Sequence, residues 1–412
     1  MAALRTLLSV LWLVGCSAQA LASESSLPKV RALTAFVRVT PQDSARVVTD
    51  ALVVLREAQR EFADRGYETQ TLRIVTQPLA ELVRGLDEAQ ALRFLTQLDA
   101  LAARENFIAN IGPAMLQESD DARSVRLLER ALATLSHLNS STIIAAEDGV
   151  HPRVIHETAA LARYLAAHSP DGQGNFNFTA SAMLGPYAPF YPAAYHTGAG
   201  LQLAIGLESA NIVQEVLAQH RGDPAGAGGE LTRELTVHAK VAETIGNRIA
   251  AAHGWTFAGV DPTPAPLGKV SIGAAMEDFS GGHFGSSGTL TTAFMITAAV
   301  KAVAVKQTGF AGLMLPVMED ERLAARWAEG RFDTDALLAY SAVCGTGLDT
   351  VPLPGDISAA QLERIYTDVA TLAWKWHKPL TARLLPVQGL KAGDHTAFHS
   401  PYLFNTVVHA IP

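Results

Sequence analysis

Residues 29–75 spell out one β-α-β unit, and the same alternation of short apolar runs with longer amphipathic stretches repeats to the end of the chain. Residues 29–39 are rich in β-branched side chains and predict a strand. Thr40-Pro41-Gln42-Asp43 follows, supplying a capping hydroxyl, a proline at the first helical position and an acid at the end of the first turn. That helix runs to Asp64 and stops at Gly66, and residues 68–75 return as a strand. Further helices are predicted over 86–104, 120–138, 151–167, 200–220, 230–253, 289–306, 319–327, 334–341 and 358–377. Strands are predicted over 107–111, 141–146, 175–184, 256–260, 311–317 and 381–385. Strands separated by helices imply a largely parallel sheet with helices outside it. No linker, repeat or shift of composition divides the chain, so residues 27–412 read as a single α/β domain of barrel type.

Composition narrows the functional classes. Of 412 residues 49% are hydrophobic and 17% charged, which suits a large packed core. The net charge of −8 is diffuse and no basic cluster follows a helix face, which argues against a nucleic-acid surface. At the start, Arg5 precedes an apolar run over residues 7–14 that is too short to span a bilayer and has the form of a signal-peptide core. Leu13-Val14-Gly15-Cys16 looks like a bacterial lipobox, while Ala18-Gln19-Ala20 offers ordinary cleavage instead. Residues 1–26 are therefore expected to be a leader and tether. The body would be exported to the periplasm, touching membrane only through a lipid on Cys16. Once the leader is removed, Cys344 is the one thiol left, so no internal disulfide is available.

In parallel α/β folds the carboxyl ends of the strands converge on the face that holds ligand. Glu147 and Asp148, Asp261, Glu319 and Asp320, and Asp349 follow four different segments and would meet at one rim. Within the run from Ser341 to Asp349, Cys344 sits beside Gly345-Thr346-Gly347, a bend able to present a thiolate, with Asp349 and Asp356 close in sequence. A buried cysteine in a tight turn, with Asp356 or the Ser358/Gln361 pair capping the last long helix, is the structural alternative. Gly281-Gly282-His283-Phe284-Gly285-Ser286-Ser287-Gly288 opens onto a helix, where amides and the Ser286 and Ser287 hydroxyls could hold an anion and His283 could exchange a proton. No lysine follows at the spacing of a Walker loop. Residues 185–196, with Tyr187, Tyr191 and His196, form a proline-stiffened aromatic loop able to wall a pocket. The rim acids could hold a hard divalent cation, yet no His-x-x-x-His or Cys-x-x-Cys spacing marks a transition-metal site, and no metal ligand or cofactor is assigned.

Several of these segments together resemble the domain of unknown function 711 family. The matching runs are Gly309-Phe310-Ala311-Gly312 through Leu315-Pro316-Val317 with Glu319-Asp320, Ala342-Val343-Cys344 with Gly347-Leu348-Asp349, Pro354-Gly355-Asp356, and Pro386-Val387 with Gly389 and Gly393-Asp394. Asp261-Pro262-Thr263-Pro264-Ala265 and Pro192-Ala193-Ala194-Tyr195-His196 also look like it. The resemblance implies a fold similar to the glycyl-radical enzymes, a ten-stranded α/β barrel of two half-sheets around a finger loop, and a homodimer. It implies no established reaction. Cys344 and Gly389 are the residues that could mimic the radical pair, but Val387-Gln388-Gly389-Leu390 lacks the arginine and aromatic that frame the radical glycine.

The leading expectation is a non-radical hydrolase or lyase acting on a small polar or anionic substrate. Cys344 would be nucleophile or acid/base, with Asp349, Asp356 and His283 as proton carriers. Ser286, Ser287, Asp261, Glu319, His196 and Tyr191 would contact substrate. The alternatives are a non-catalytic ligand-binding lipoprotein, with an aromatic pocket around Tyr187, Tyr191 and His196, and a metal-dependent hydrolase.

Overall fold

A computed structural model describes residues 27–266, 268 and 270–411. The expected leader and Cys16 lie outside the described residues. The strands are β1 (Lys29–Phe36), β2 (Thr69–Val75), β3 (Ile108–Pro113), β4 (Leu138–Ala146), β5 (Gly149–Val150), β6 (Phe178–Ala182), β7 (Gln202–Glu208), β8 (Thr256–Asp261), β9 (Gly347–Pro354) and β10 (Leu380–Val387). They form one ten-stranded sheet in the order β8-β7-β1-β2-β3-β4-β6-β10-β9, with β5 beside β4. Strands β1, β2, β3, β4 and β6 are parallel. The pairs β7–β8 and β9–β10 are each internally parallel but run against the central block, at β1 and β6. Residues 307–320 run between the two edge strands and make isolated bridges, Val260 to Gln307 beside β8 and Pro316 to Asp349 in β9.

One face of the sheet is covered by helices. Leu33 and Ala35, Leu72 and Ile74, Ala109 and Ile111, and Leu203 and Ile205 alternate along their strands into the main apolar core. The helices that cover them have local reasons to form. Asp87 and Gln90 close a capping box on helix Glu88–Glu105, and Ser358 and Gln361 do the same on Ala359–Trp376. The opposite face is covered by irregular chain. Leu184, Ala188, Phe190 and Ala193 cluster there with Ala265, Phe310 and Met314, and Phe36 and Val75 pack against Ala194 and Ala204.

Three expectations about elements are corrected. Residues 200–220 are not one helix: β7 and helix Ala210–Gln219 divide them. Every residue of β7 is buried, and between Gln202 and Glu208 its residues 203–207 are an unbroken apolar run that carries no helix or strand period. Residues 311–317 make one isolated bridge, at Pro316, rather than a strand. The bend expected at Cys344 is present over residues 344–346, but from Gly347 the chain runs as β9, an end strand of the sheet path, whose Pro352 and Pro354 suit a position where a ladder amide can be absent.

Candidate functional site

Three arginines from three strands converge on the loop-covered face. A bulge in β1 sets Arg31: Val30 opposes Leu207 and Ala32 opposes Gly206, so Arg31 is the extra residue. Arg73 lies on the same side of β2 as Thr71 and Val75, by the two-residue period. Arg383 in β10 faces a second bulge, where β9 advances from Leu348 to Val351 while β10 advances from Ala382 to Leu384. Thr350 in that bulge is left-handed, with φ 45°.

The charges alternate along a chain. Arg383 Nε donates to Asp349 Oδ1 at 2.6 Å, and Arg383 Nη2 donates to Glu319 Oε1. Glu319 Oε2 accepts from Arg31 Nη2 at 3.5 Å, and Arg31 Nη1 stands 3.9 Å from Glu208 Oε2. The Arg383 guanidinium also lies 4.9 Å from the Phe176 ring centre. Arg383, Glu319, Asp349 and Glu208 are all buried. Arg31 Nη1, Glu208 Oε2 and Asp349 Oδ2 are buried without any hydrogen-bond partner. Burial pushes the Asp349 carboxyl up despite Arg383 beside it, and pushes Glu208 up despite Arg31.

Arg73 stands apart from this chain. It donates from Nε to Thr71 Oγ1 and from Nη1 to the Pro189 carbonyl, both at 3.1 Å, and among the described residues no carboxylate pairs with it. Burial, together with the like charges of Arg31 and Arg383, pushes its pKa down to about 9, which still leaves it a cation at neutral pH. Arg73 and Arg31 line a cavity of about 20 Å³ with Tyr191, Asp261, Thr263 and Met314. That is room for about one water. The loop over residues 185–196 roofs it, pinned by Arg73 and by Asn110 Nδ2, which donates to the Pro192 carbonyl at 2.6 Å.

The sequence-predicted residues divide sharply. Asp349 and Glu319 meet at Arg383, Tyr191 lines the cavity with its hydroxyl donated to Asn177 Oδ1, and Asp261 borders the same cavity. Asp261 is also a brace: burial raises its pKa, while the Thr263 hydroxyl and the amides of Thr263, Phe310 and Ala311 donate to it. Gly309 must lack a side chain there, because a Cβ would stand 2.2 Å from Asp261 Oδ2. His196 is buried beneath the same loop, with Nε2 3.1 Å from the Gly200 carbonyl and Nδ1 unpartnered.

The remaining predicted residues are placed elsewhere. Cys344 is packed into the main core on the helix-covered face, its carbonyl held by Lys378 Nζ. Asp356 is exposed past the carboxyl end of β9, with that strand, roughly 25 Å long, between it and Cys344. Gly389 follows β10, parallel to β9, and so also lies at the far end from Cys344. Ser358 caps the last long helix, as the alternative reading had it. His283 is over half exposed and stands 3.7 Å from Glu277. Ser286 donates to the His283 carbonyl within its own turn, and Ser287 is exposed. Glu147 and Asp148 lie at a different cleft, and Asp320 caps helix Glu321–Ala328 and accepts from Ser271. Among the described residues, no group of three His, Cys, Asp or Glu side chains is arranged to hold a metal.

Arg31, Arg73, Arg383 and Glu208 were not singled out from the sequence. Each is a lone charge inside or at the end of an apolar strand run, and a single arginine in mid-strand is a signal that a solvated residue would rarely give.

The fold and this cluster define a mixed α/β protein with a charged, buried sheet face. The chain matches the family model described as Uncharacterised ACR (DUF711) over residues 23–399, and it belongs to that family. It is similar to a UPF0210 protein of Pyrobaculum aerophilum, 29% identical over 89% of this chain and 86% of the relative. UPF0210 proteins of Desulforudis audaxviator (27%, over 83% and 78%) and Listeria monocytogenes (26%, over 86% and 82%) are further relatives.

Proposed function

We propose that the protein is an enzyme that holds a small anionic substrate, by a carboxylate or phosphate group, at Arg73 on the loop-covered face and moves protons on it. The observation that carries this is a buried guanidinium without a carboxylate partner that opens onto a cavity. Removing a cation from water is costly unless an anion compensates it, and a substrate anion would do so. Carboxyls raised by burial at Glu208 and Asp349 hold their protons more readily than solvated ones, which fits a non-radical hydrolase or lyase. Cys344 has no part in this reading, because its side chain packs on the other face. A cavity of about 20 Å³ takes about one oxygen of the anion, so the rest of the substrate would have to lift the loop over residues 185–196.

We further propose that residues 307–320, which bridge toward both edge strands, close the sheet into a barrel of two opposed parallel halves similar to that of the glycyl-radical enzymes. The exported location, the lipid anchor and the homodimer stand as part of this proposal. Leu290 and Phe294, one turn apart and exposed on helix Thr289–Lys301, support a subunit contact.

Arg73→Gln tests the central reading. Phosphate, sulfate and small carboxylates should raise the melting temperature of the wild-type protein and leave that of Arg73→Gln unchanged. Equal stabilisation of the two proteins would overturn the proposal. A bound anion that is recovered unaltered after prolonged incubation would favour the non-catalytic ligand-binding reading.

A further inference from the structure

A second concavity lies apart from the arginine cluster, where β3, β4 and β6 end. Its volume is about 480 Å³, within the range of small-molecule sites. Leu116, Ile143, Ala145, Met183 and Leu184 give it apolar walls, and Glu147 and Asp148 stand on its rim. Those carboxylates are well exposed, at 84% and 65% of their side chains. Among the described residues, no lysine or arginine lines the cleft. Buried His151 fixes one side of the rim: one ring nitrogen is 2.9 Å from Asp148 Oδ1 and the other 2.8 Å from the Ile143 carbonyl. The bond from His151 holds the Asp148 carboxyl below its usual range, so that it stays an anion. On the other side, His377 Nδ1 is 3.7 Å from Glu147.

The opposite wall is held in an unusual backbone state. Met183 follows β6 in the left-handed region at φ 56°, donating its amide to the Ala145 carbonyl at 2.8 Å. A long unbranched residue seldom adopts that conformation unless its surroundings require it. It turns the chain directly into Leu184 and Gly185, which complete the cleft wall, with the Tyr195 hydroxyl donating to the Leu184 carbonyl. Gly185 has ordinary φ, and a Cβ built on it meets nothing within 4 Å, so the space beside it is open.

We infer that this cleft binds a small organic cation, an ammonium group carried on an apolar body. The ammonium sits between Glu147 and Asp148, and the hydrocarbon lies against Leu116, Ile143, Met183 and Leu184. An apolar lining selects for area removed from water, and an acidic rim that its flanking histidines offset only in part selects for positive charge. The cleft shares the 183–196 segment with the roof of the arginine cavity but not its polar groups, so this inference stands independently of the anion site.

Calorimetric titration of the full chain with 2-phenylethylammonium, 2-phenylethanol and phenylacetate tests it. The ammonium ion should bind about tenfold tighter than the neutral alcohol, and phenylacetate weakest. Glu147→Gln with Asp148→Asn, both on the exposed rim, should erase the advantage of the cation and leave the alcohol unchanged. Gly185→Leu fills the cleft and should abolish binding of both, whereas Arg73→Gln should bind the cation like wild type. The inference is overturned by phenylacetate binding as tightly as the ammonium ion, by cation binding that survives Gly185→Leu, or by no heat from any probe at millimolar concentration.

Discussion

The two faces of the sheet follow opposite chemistries. On the helix-covered side, Leu33, Ile74, Ile111 and Ile205 meet helix residues such as Leu52, Leu55 and Leu98 in a continuous apolar core. On the loop-covered side, strands of the same sheet present Arg31, Arg73, Arg383, Glu208 and Asp349, with Asn110 and Asn139 hydrogen-bonded to each other. The first face stabilises the fold by removing hydrocarbon from water, at about 25 cal/mol per Å². The second must overcome desolvation of several ions, and such networks often contribute less stability than apolar packing of the same shape. Among the described residues the second face also leaves several buried polar atoms unpartnered, Arg31 Nη1, Glu208 Oε2, Asp349 Oδ2 and His196 Nδ1 among them, which a packing role alone does not explain. The contrast separates what holds the molecule together from what equips it to bind.

The sharpest way to break that contrast is to remove the central cation. Arg383→Leu strands Asp349 and Glu319 as buried carboxylates and should cost about 3–5 kcal/mol, read from urea unfolding midpoints. Replacing all three together, Arg383→Met with Glu319→Leu and Asp349→Leu, should return stability to wild type or exceed it by about 1–4 kcal/mol. A triple variant as unstable as Arg383→Leu would show that the cluster is a structural element like the opposite core.

Titration sharpens the comparison at smaller amplitude. Burial raises the Glu208 carboxyl above its unfolded value of about 4.3, with Arg31 opposing it only in part. Between those two values the native state binds more protons than the unfolded chain, so this group's contribution is full at low pH and is lost as pH rises through the raised folded value. Glu277, on the helix side, has the reverse sign. Burial pushes its carboxyl up, but donation from Arg326 and the Phe284 amide, together with the charges of Arg326 and Arg322, outweighs this and leaves it lowered, so its contribution is lost as pH falls. Unfolding free energy measured from pH 4 upward should therefore decline less steeply in Glu208→Gln than in wild type. An unchanged slope would mean that Glu208 is effectively solvated.

Much of the architecture was legible because it depends on periodicity and punctuation. The helix over residues 334–341 and the ends of β2 and β8 follow from capping residues and from alternation. β7 was not legible, since burial on both faces erases the two-residue signal, and β9 was hidden by glycines and prolines that in isolation mean a loop. At the site, the acids Glu319, Asp349 and Asp261 were picked by the rule that strand ends carry ligands, yet only Asp261 ends a strand, while Glu319 follows irregular chain and Asp349 lies early in β9. The arginines escaped because bulges aim Arg31 inward and set Arg383 against Asp349, and a bulge has no composition of its own. Cys344 was singled out for its glycine-flanked bend, and it precedes β9 with its side chain in the helix-face core.

Cys344 supplies the mildest and most discriminating comparison. Its side chain is buried among helix-face residues, and Lys378, partly buried, spends its ammonium on the carbonyls of Ser341, Ala342 and Cys344 at the end of helix Thr334–Ser341. That arrangement is a helix terminus satisfied by a cation, and it needs the backbone rather than the sulfur. Cys344→Ala should therefore lower stability by about 1–2 kcal/mol through a small cavity and leave anion binding at Arg73 unaltered. In the native protein the thiol should react with a disulfide reagent only as fast as the core opens, and at the free rate once urea unfolds it. Rapid labelling of the folded protein, or loss of anion binding in Cys344→Ala, would move the functional centre to the opposite side of the sheet.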